Sequence, residues 1–497
     1  MSHPEFGKAA CEWNASKNAG LRLWASCLFS RQLTMRKPLL IFALALCTLT
    51  VEAGLSGSEE IAVSKASRHE KAGWIYLHIE GAPHERGFQH GYLLAPEIQE
   101  SLRITRAVWE YQSGMDWKWL LKKSSKLLNP KIDPEWIQEM GGIVSGLKAA
   151  GVTSSLDEIV AYNAIIELSN YWWPKEKRKY DYNSPTSPKD ACSAFIATGS
   201  ATADGGVVMG HNTMSGYTDA YYNVILDILP NKGHRILMQG QPGWIHSGTD
   251  FFITDAGLLG TETTIGDFHG FDEKGVPEFV RMRKATQYGH SIDTWCDLMR
   301  KGNNGGYANA WLLGDINTKE IARLEQGLKH TALEKKTEGF FVGSNVAEDR
   351  KVLRFDTSEE EQDIRSSSVA RRVRWKELMK ANHGRVNAEL AKQFEADHYD
   401  TFLKQERLGA RGLCAHGEFE ADPRGRVPFR PSGTTDAKVV DSQMAAEMSF
   451  AARWGSACGT PFDAPTFLTE HPQYEWMSGL IRSRPAQPWV MFKAGEK

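Results

Sequence analysis

Most of what would place this chain among nucleic-acid-binding, nucleotide-binding or membrane-spanning proteins is missing from it. Lys and Arg number 59 against 61 Asp and Glu, a net charge of −2. No basic stripe breaks that balance, so there is no electrostatic footprint for nucleic acid. There is no Gly-x-Gly-x-x-Gly turn and no P-loop to cradle a nucleotide phosphate. Neither a fixed-period repeat nor a low-complexity tract occurs. Cysteine is scarce: seven in 497 residues, of which Cys192, Cys296, Cys414 and Cys458 follow residue 53. Four scattered thiols are not a disulfide scaffold. Cys414 and Cys458, both in Gly-containing stretches, are candidates to pair, while Cys296 in "DTWCDLMRK" sits on a helical face and reads as a buried apolar residue. His84, His90, His234, His246 and His269 lack the spacing of a metal helix or finger. No metal and no cofactor is therefore expected.

Long hydrophobic runs are also lacking. The run Leu39–Leu49 has 11 residues, whereas a bilayer span needs about 20. It follows the basic stretch Met35-Arg36-Lys37 and precedes Val51 and Ala53, small residues at the spacing of a cleavage site. That order is a secretory signal peptide over 35–53. Residues 1–34 read as a misassigned extension, with Met35 the initiator. The mature protein is expected to be exported (secreted, periplasmic or lumenal), with no integral membrane segment once the signal is removed.

What remains can build a large core: 41% of residues are hydrophobic, with 16 Trp and 45 Gly. Residues 73–82 read as a strand, followed by one long amphipathic helix over 83–112; 134–149 and 155–172 carry helical periods. From 175 the chain becomes charged and then Pro/Ser-rich, an exposed linker ending at 191. Strands are expected at 192–198, 207–211, 222–228, 235–239, 251–255, 258–264, 309–314, 320–325 and 340–344, and helices at 276–288, 291–301, 366–382 and 386–395. Strands and helices in separate runs point to an α+β layered fold rather than a doubly wound sheet.

The stretch "DACSAFIATGSATADGGVVMGHNT" (190–213) carries the chemistry. It reads as a hairpin whose first strand opens on a thiol. If the Ala191–Cys192 bond were cut, one residue would hold both a nucleophilic sulfur and a free α-amine. Such an amine titrates near ~7.7–8.0 and can take the thiol proton. With Thr198 opposite Val207, paired numbers sum to 405, and His211 falls within about two residues of Cys192 across the ladder.

This stretch is one of several that occur together. "HERGFQHGYLL" (84–94) precedes it; "SGTDFFITDAGLLGTETTIGDF" (247–268), "WCDLMRKGNNGGYANAWLLGD" (295–315), "FFVGSNVAED" (340–349) and "SGTTDAKVVDS" (432–442) follow. In that order they resemble the phospholipase B-like proteins, which stand with the penicillin acyltransferase and bile-salt-hydrolase type of N-terminal-nucleophile hydrolases. The resemblance runs from about residue 73 to the C-terminus. It implies a four-layer αββα sandwich in which an N-terminal fragment (54–191) and a nucleophile-bearing fragment (192–497) form one joint globular domain after autoproteolysis at Ala191–Cys192. It also implies Cys192 as nucleophile, His211 beside it, Asn345 in the oxyanion hole and an arginine near the next helix, Arg371 before Arg365. Asp250, Thr264, Asn212 and Met214 are expected at the substrate. Met214 stands where the family carries a large aromatic, which bears on acyl selectivity. "SGTTDAKVVDS" matches a turn of the family. The implied partner is a small acyl substrate, a phospholipid-like ester first and a non-peptide linear amide second. The rival from another class is an exported lipid-binding protein without catalysis. Nothing in the residues reads out an oligomeric state.

Overall fold

The structure is a computed structural model that describes residues 55–180, 192–219, 221–248, 251–424 and 427–496. The expected signal peptide, most of the linker, Ala191 and Asp250 lie outside the described residues. Strand alternation sorts the rest into layers. A nine-stranded sheet runs in the order Ser67–Lys71, Trp74–Gly81, Val224–Pro230, Ile236–Gly240, Phe251–Thr254, Leu258–Thr264, Asn309–Asp315, Glu320–Gln326, Thr331–Lys336. A six-stranded sheet runs Gly339–Gly343, Ser193–Thr198, Val208–Gly216, Ser432–Asp441, Ser449–Trp454, Val490–Lys493. Pairing is antiparallel throughout both sheets except between Trp74–Gly81 and Val224–Pro230, which are parallel.

Both faces of both sheets are apolar, so each must be covered twice. Tyr76, Ile225, Leu237, Phe251 and Leu312 of the first sheet meet Ala194, Ile196, Met209, Val440 and Phe450 of the second in a core between the sheets. The alternate residues Leu77, Leu226, Met238, Trp311 and Leu313 pack outward on helical Ile98, Trp136, Met140, Ile143, Phe279 and Trp295. Phe195, Ala197, Val208 and Val439 pack outward from the second sheet on Trp375, Met379, Ala391 and Phe394. The result is helix, sheet, sheet, helix, the αββα sandwich. Each large side chain so buried contributes about 1.5–3 kcal/mol. No helix among the described residues is long and apolar enough to cross a membrane.

Three local readings are corrected. The helix expected over 83–112 is two, Pro83–Leu93 and Ala95–Ser113, because Pro96 has no N–H to donate to a continuous ladder. The helical stretch after 155 runs past the expected linker start, through a wide π-turn at Leu168–Trp172 and the turn Trp173–Lys177. "SGTTDAKVVDS" is a strand, Ser432–Asp441, lying between Val208–Gly216 and Ser449–Trp454.

The element "HERGFQHG" works as a helix crossing. Gly87 and Gly91 of Pro83–Leu93 face Gly142 and Gly146 of Pro134–Ala149; a Cβ at Gly87 would collide with the Glu139 carbonyl oxygen, and one at Gly146 with that of Phe88. The close approach lets Arg86 Nε donate to Glu139 at 2.6 Å, while Arg283 reaches the other carboxylate oxygen at 3.0 Å. Gly146→Ala is expected to lower stability by about 1–3 kcal/mol through overpacking. Gly141→Ala on the same helix, where nothing lies within 4 Å of the added Cβ, is expected to raise it by about 0.5–1 kcal/mol. Denaturant midpoints of the two variants check this; equal shifts would refute the crossing.

Candidate active site

Cys192 precedes the strand Ser193–Thr198 and is 2% exposed. Its φ is +80°, a left-handed conformation that costs a non-glycine residue about 1–2 kcal/mol. Surrounding contacts hold it there. The Cys192 carbonyl accepts from Arg371 Nη1 at 2.7 Å, and Arg371 Nη2 donates to Asn345 Oδ1 at 2.7 Å. On the same helix, Ser367–Ala381, the Trp375 indole donates to Ser193 Oγ at 2.8 Å. Arg371 is fully buried, and a buried guanidinium persists only with its hydrogen-bonding capacity engaged. Arg365 is more than half exposed and pairs with Asp363, so of the two arginines it is Arg371 that reaches Cys192.

Asn345 follows the edge strand Gly339–Gly343, whose Gly343 lies opposite Ala194. It too is left-handed, at φ +74°. Its Nδ2 donates to the Thr264 carbonyl at 2.8 Å, and its own carbonyl accepts from Gly266 N at 2.8 Å. Thr264 ends a strand of the other sheet. Arg371 and Asn345 therefore lock the two sheets together at the end where Cys192 sits.

The hairpin has the register expected from the sequence: Ser193 opposite Asn212, Ala194 opposite His211, Ala197 opposite Val208. Alternation then sets His211 and Asn212 on opposite faces, and a bulge opposite Thr213–Met214 breaks the alternation beyond them. Asn212 faces the outer helices, where Nδ2 donates to the carbonyls of Glu395 at 2.7 Å and Leu413 at 2.8 Å. It braces the layer and does not line the cleft. His211 faces the gap between the sheets, fully buried, its ring centroid 6.4 Å from that of Phe251. Burial first, then the Lys438 charge, hold its pKa well below 6.5, so it is neutral. His211 does not line the cleft either.

Beside His211 in the ladder lies Lys438. Its fully buried ammonium donates to Asp436 and, at 2.6 Å, to Thr213 Oγ1. Asp436 also accepts from Gln239 at 2.8 Å and Asn223 at 3.0 Å. The sequence reading missed this pair. The Asp-x-Lys alternation was its signal, hidden because the segment was expected to turn.

A cleft of about 940 Å³ opens at Cys192. Thr213, Met214, Thr264 and Tyr307 line it together with Cys192; Trp109, Tyr171, Trp173 and Trp244 give it aromatic walls. Thr264 Oγ1, almost fully buried, has no hydrogen-bond partner. Gln241, Trp244 and Gly248 belong to one loop of that wall, and His90 Nε2 accepts from Gly243 N at 2.9 Å within it. His90 can accept because burial lowers its pKa to about 4. The glycine crossing thus supports the cleft.

A family model for phospholipase B matches residues 137–334. An uncharacterized protein of Archaeoglobus fulgidus is 26% identical over 304 residues, spanning 56% of this chain and 48% of that protein. Phospholipase B-like protein C of Dictyostelium discoideum is 23% identical over 314 residues, 53% of this chain and 54% of that one. The chain thus spans about half the length of these curated relatives. Among solved structures, a mutant conjugated bile acid hydrolase from Clostridium perfringens aligns with a TM-score of 0.32 at 10% identity, over 53% of this chain and 89% of that one.

Replacing Arg371 by Met takes a donor from both the Cys192 carbonyl and Asn345 Oδ1. At about 1–3 kcal/mol for each of the two buried acceptors so affected, the expected loss is about 2–6 kcal/mol by denaturant unfolding. Arg365→Met, at the exposed Asp363 pair, is expected to change stability by less than about 0.5 kcal/mol. Similar losses in the two variants would contradict the bridging role.

Proposed function

We propose that this chain, which is similar to phospholipase B-like proteins, is a hydrolase that cuts its own Ala191–Cys192 bond and then cleaves acyl esters through the new N-terminal cysteine. The observation that carries the reading is the placement of Cys192. It opens a buried strand, directly after residues 181–191, in a left-handed conformation gripped through its carbonyl by Arg371, and lines an aromatic-walled cleft.

In this mechanism the α-amine freed at Cys192 takes the thiol proton, and Sγ attacks the acyl carbonyl. Asn345, whose Nδ2 carries two hydrogens, and neighbouring backbone N–H groups stabilise the oxyanion; such a donor is worth about 2.7–4 kcal/mol. The tetrahedral intermediate collapses to a thioester, the amine returns its proton to the leaving oxygen, and water then releases the acid. Arg371 holds the backbone on which the sulfur sits and fixes the Asn345 side chain. His211, neutral and behind Thr213, is assigned a positioning role rather than the base. Thr264 Oγ1 supplies a polar contact for the substrate, and Met214 shapes the acyl pocket. An apolar cleft with a few convergent polar groups suits a lipid-like acyl chain. The same reading takes residues 35–53 as an export signal and places the mature protein outside the cytoplasm.

Intact mass and N-terminal sequencing test the first step: two chains are expected, one beginning at Cys192, and Cys192→Ala is expected to remain whole. Matched ester and amide substrates with the same acyl group test the second. The ester is expected to turn over faster, with a loss of at least about 10³-fold in Cys192→Ala. A processed Cys192→Ala chain would overturn the self-cleavage. Persistent turnover in an unprocessed one would overturn the nucleophile, and preference for the amide would overturn the substrate class.

A further inference from the structure

Away from the cleft mouth, four residues distant in sequence converge. His398 follows the helix Ala388–Glu395; Cys414 and His416 lie in the loop before the strand Ser432–Asp441; Cys458 follows the strand Ser449–Trp454. One donor atom from each, two sulfurs and two imidazole nitrogens, lies within 4.8 Å of the other three. We propose that His398, Cys414, His416 and Cys458 form a closed Cys2His2 site for a tetrahedral zinc-class divalent ion that clips these three loops together.

The spacing of the donors carries the proposal. A tetrahedral zinc with Zn–S of about 2.3 Å and Zn–N of about 2.0–2.1 Å holds sulfur and nitrogen about 3.5 Å apart. Here His416 Nε2 is 3.5 Å from Cys414 Sγ and 3.4 Å from Cys458 Sγ. Both sulfurs converge on the same ring nitrogen, as two thiolates and an imidazole do around a shared ion. His398 joins them, its ring 5.3 Å from that of His416. The outer partners match metal ligation as well. His416 Nδ1 is 3.0 Å from Glu418 Oε1, and Tyr217 O–H donates to Glu418 Oε2 at 2.7 Å. A carboxylate behind the imidazole fixes the tautomer that presents Nε2 to a metal. Thr460 N donates to Cys458 Sγ at 3.3 Å, the kind of contact that steadies a thiolate. Two thiolates neutralise the ion, and this donor set selects zinc over oxygen-loving cations.

Four protein ligands leave no open position, so the site is structural. Its work is visible nearby. His416 bridges Gly433, and Ala415 O accepts from Thr434 N at 2.8 Å; Pro431 and Ser432, one step back, line the cleft. The clip stiffens that wall.

Both sulfurs are unbonded in the structure, and the sequence reading left their pairing open. A native Cys414–Cys458 disulfide is therefore the rival to exclude. The full-length protein, purified without chelator, is expected to carry an equimolar amount of zinc by elemental mass spectrometry. The reduced, stripped chain titrated with Co²⁺ alone is expected to show a thiolate-to-cobalt charge-transfer band and the strong visible bands of tetrahedral cobalt. Those bands are expected to be lost in Cys458→Ser and kept in Cys296→Ala. Should Cys458→Ser fail to fold, alkylation of the wild-type chain decides: zinc is expected to protect the Cys414 and Cys458 peptides selectively. A disulfide found by peptide mapping of the native protein would overturn the proposal. So would a reduced chain that binds neither ion, or equal alkylation with and without zinc.

Discussion

One buried guanidinium ties together what the site needs. Arg371 donates to the backbone of Cys192 with one nitrogen and to the side chain of Asn345 with another. Asn345 passes the connection to Thr264 in the opposite sheet. A helix, two neighbouring strands and the facing sheet therefore meet in a chain of hydrogen bonds. The guanidinium at its centre is fully removed from water, so its geometry is strictly held: a buried charge tolerates little loss of partners. Two left-handed residues, Cys192 and Asn345, are the ones that Arg371 joins. Backbone strain of this kind persists where surrounding contacts over-determine it.

The rest of the molecule supports that point from two sides. On the outer face, a crossing of glycine-faced helices brings His90 to the loop that walls the cleft. Between the sheets, the Lys438–Asp436 pair fills a space that would otherwise be apolar. Its positive charge adds to burial in keeping His211 neutral. The cluster of His398, Cys414, His416 and Cys458 lies next to the second sheet, where His416 bridges Gly433.

The sequence was most legible where local pattern and tertiary demand agree. The strands at 193–198, 224–230, 258–264 and 309–315 were read close to their observed limits, since runs of β-branched and apolar residues between turn residues have few other uses. The hairpin register matches the one obtained by setting Thr198 opposite Val207. Legibility failed where one residue overrides a pattern, as at Pro96, and where a strand carries polar side chains inward. Ser432–Asp441 holds Thr434, Asp436 and Lys438, none of which suggests a buried central strand. Only the facing polar groups Asn223, Gln239 and Thr213 make it one.

By itself, the sequence determined the layered α+β class, the hairpin and the thiol at its start, because these depend on residue types within a few positions of one another. Tertiary structure decided which polar residues converge. Arg371 rather than Arg365 meets Cys192, and Asn212 turns away from the cleft while Thr213 and Met214 face it. His416 stands between two cysteines that lie 44 positions apart. These are contacts between elements distant along the chain, fixed by how two sheets and two helical layers stack, and no local period encodes that stacking.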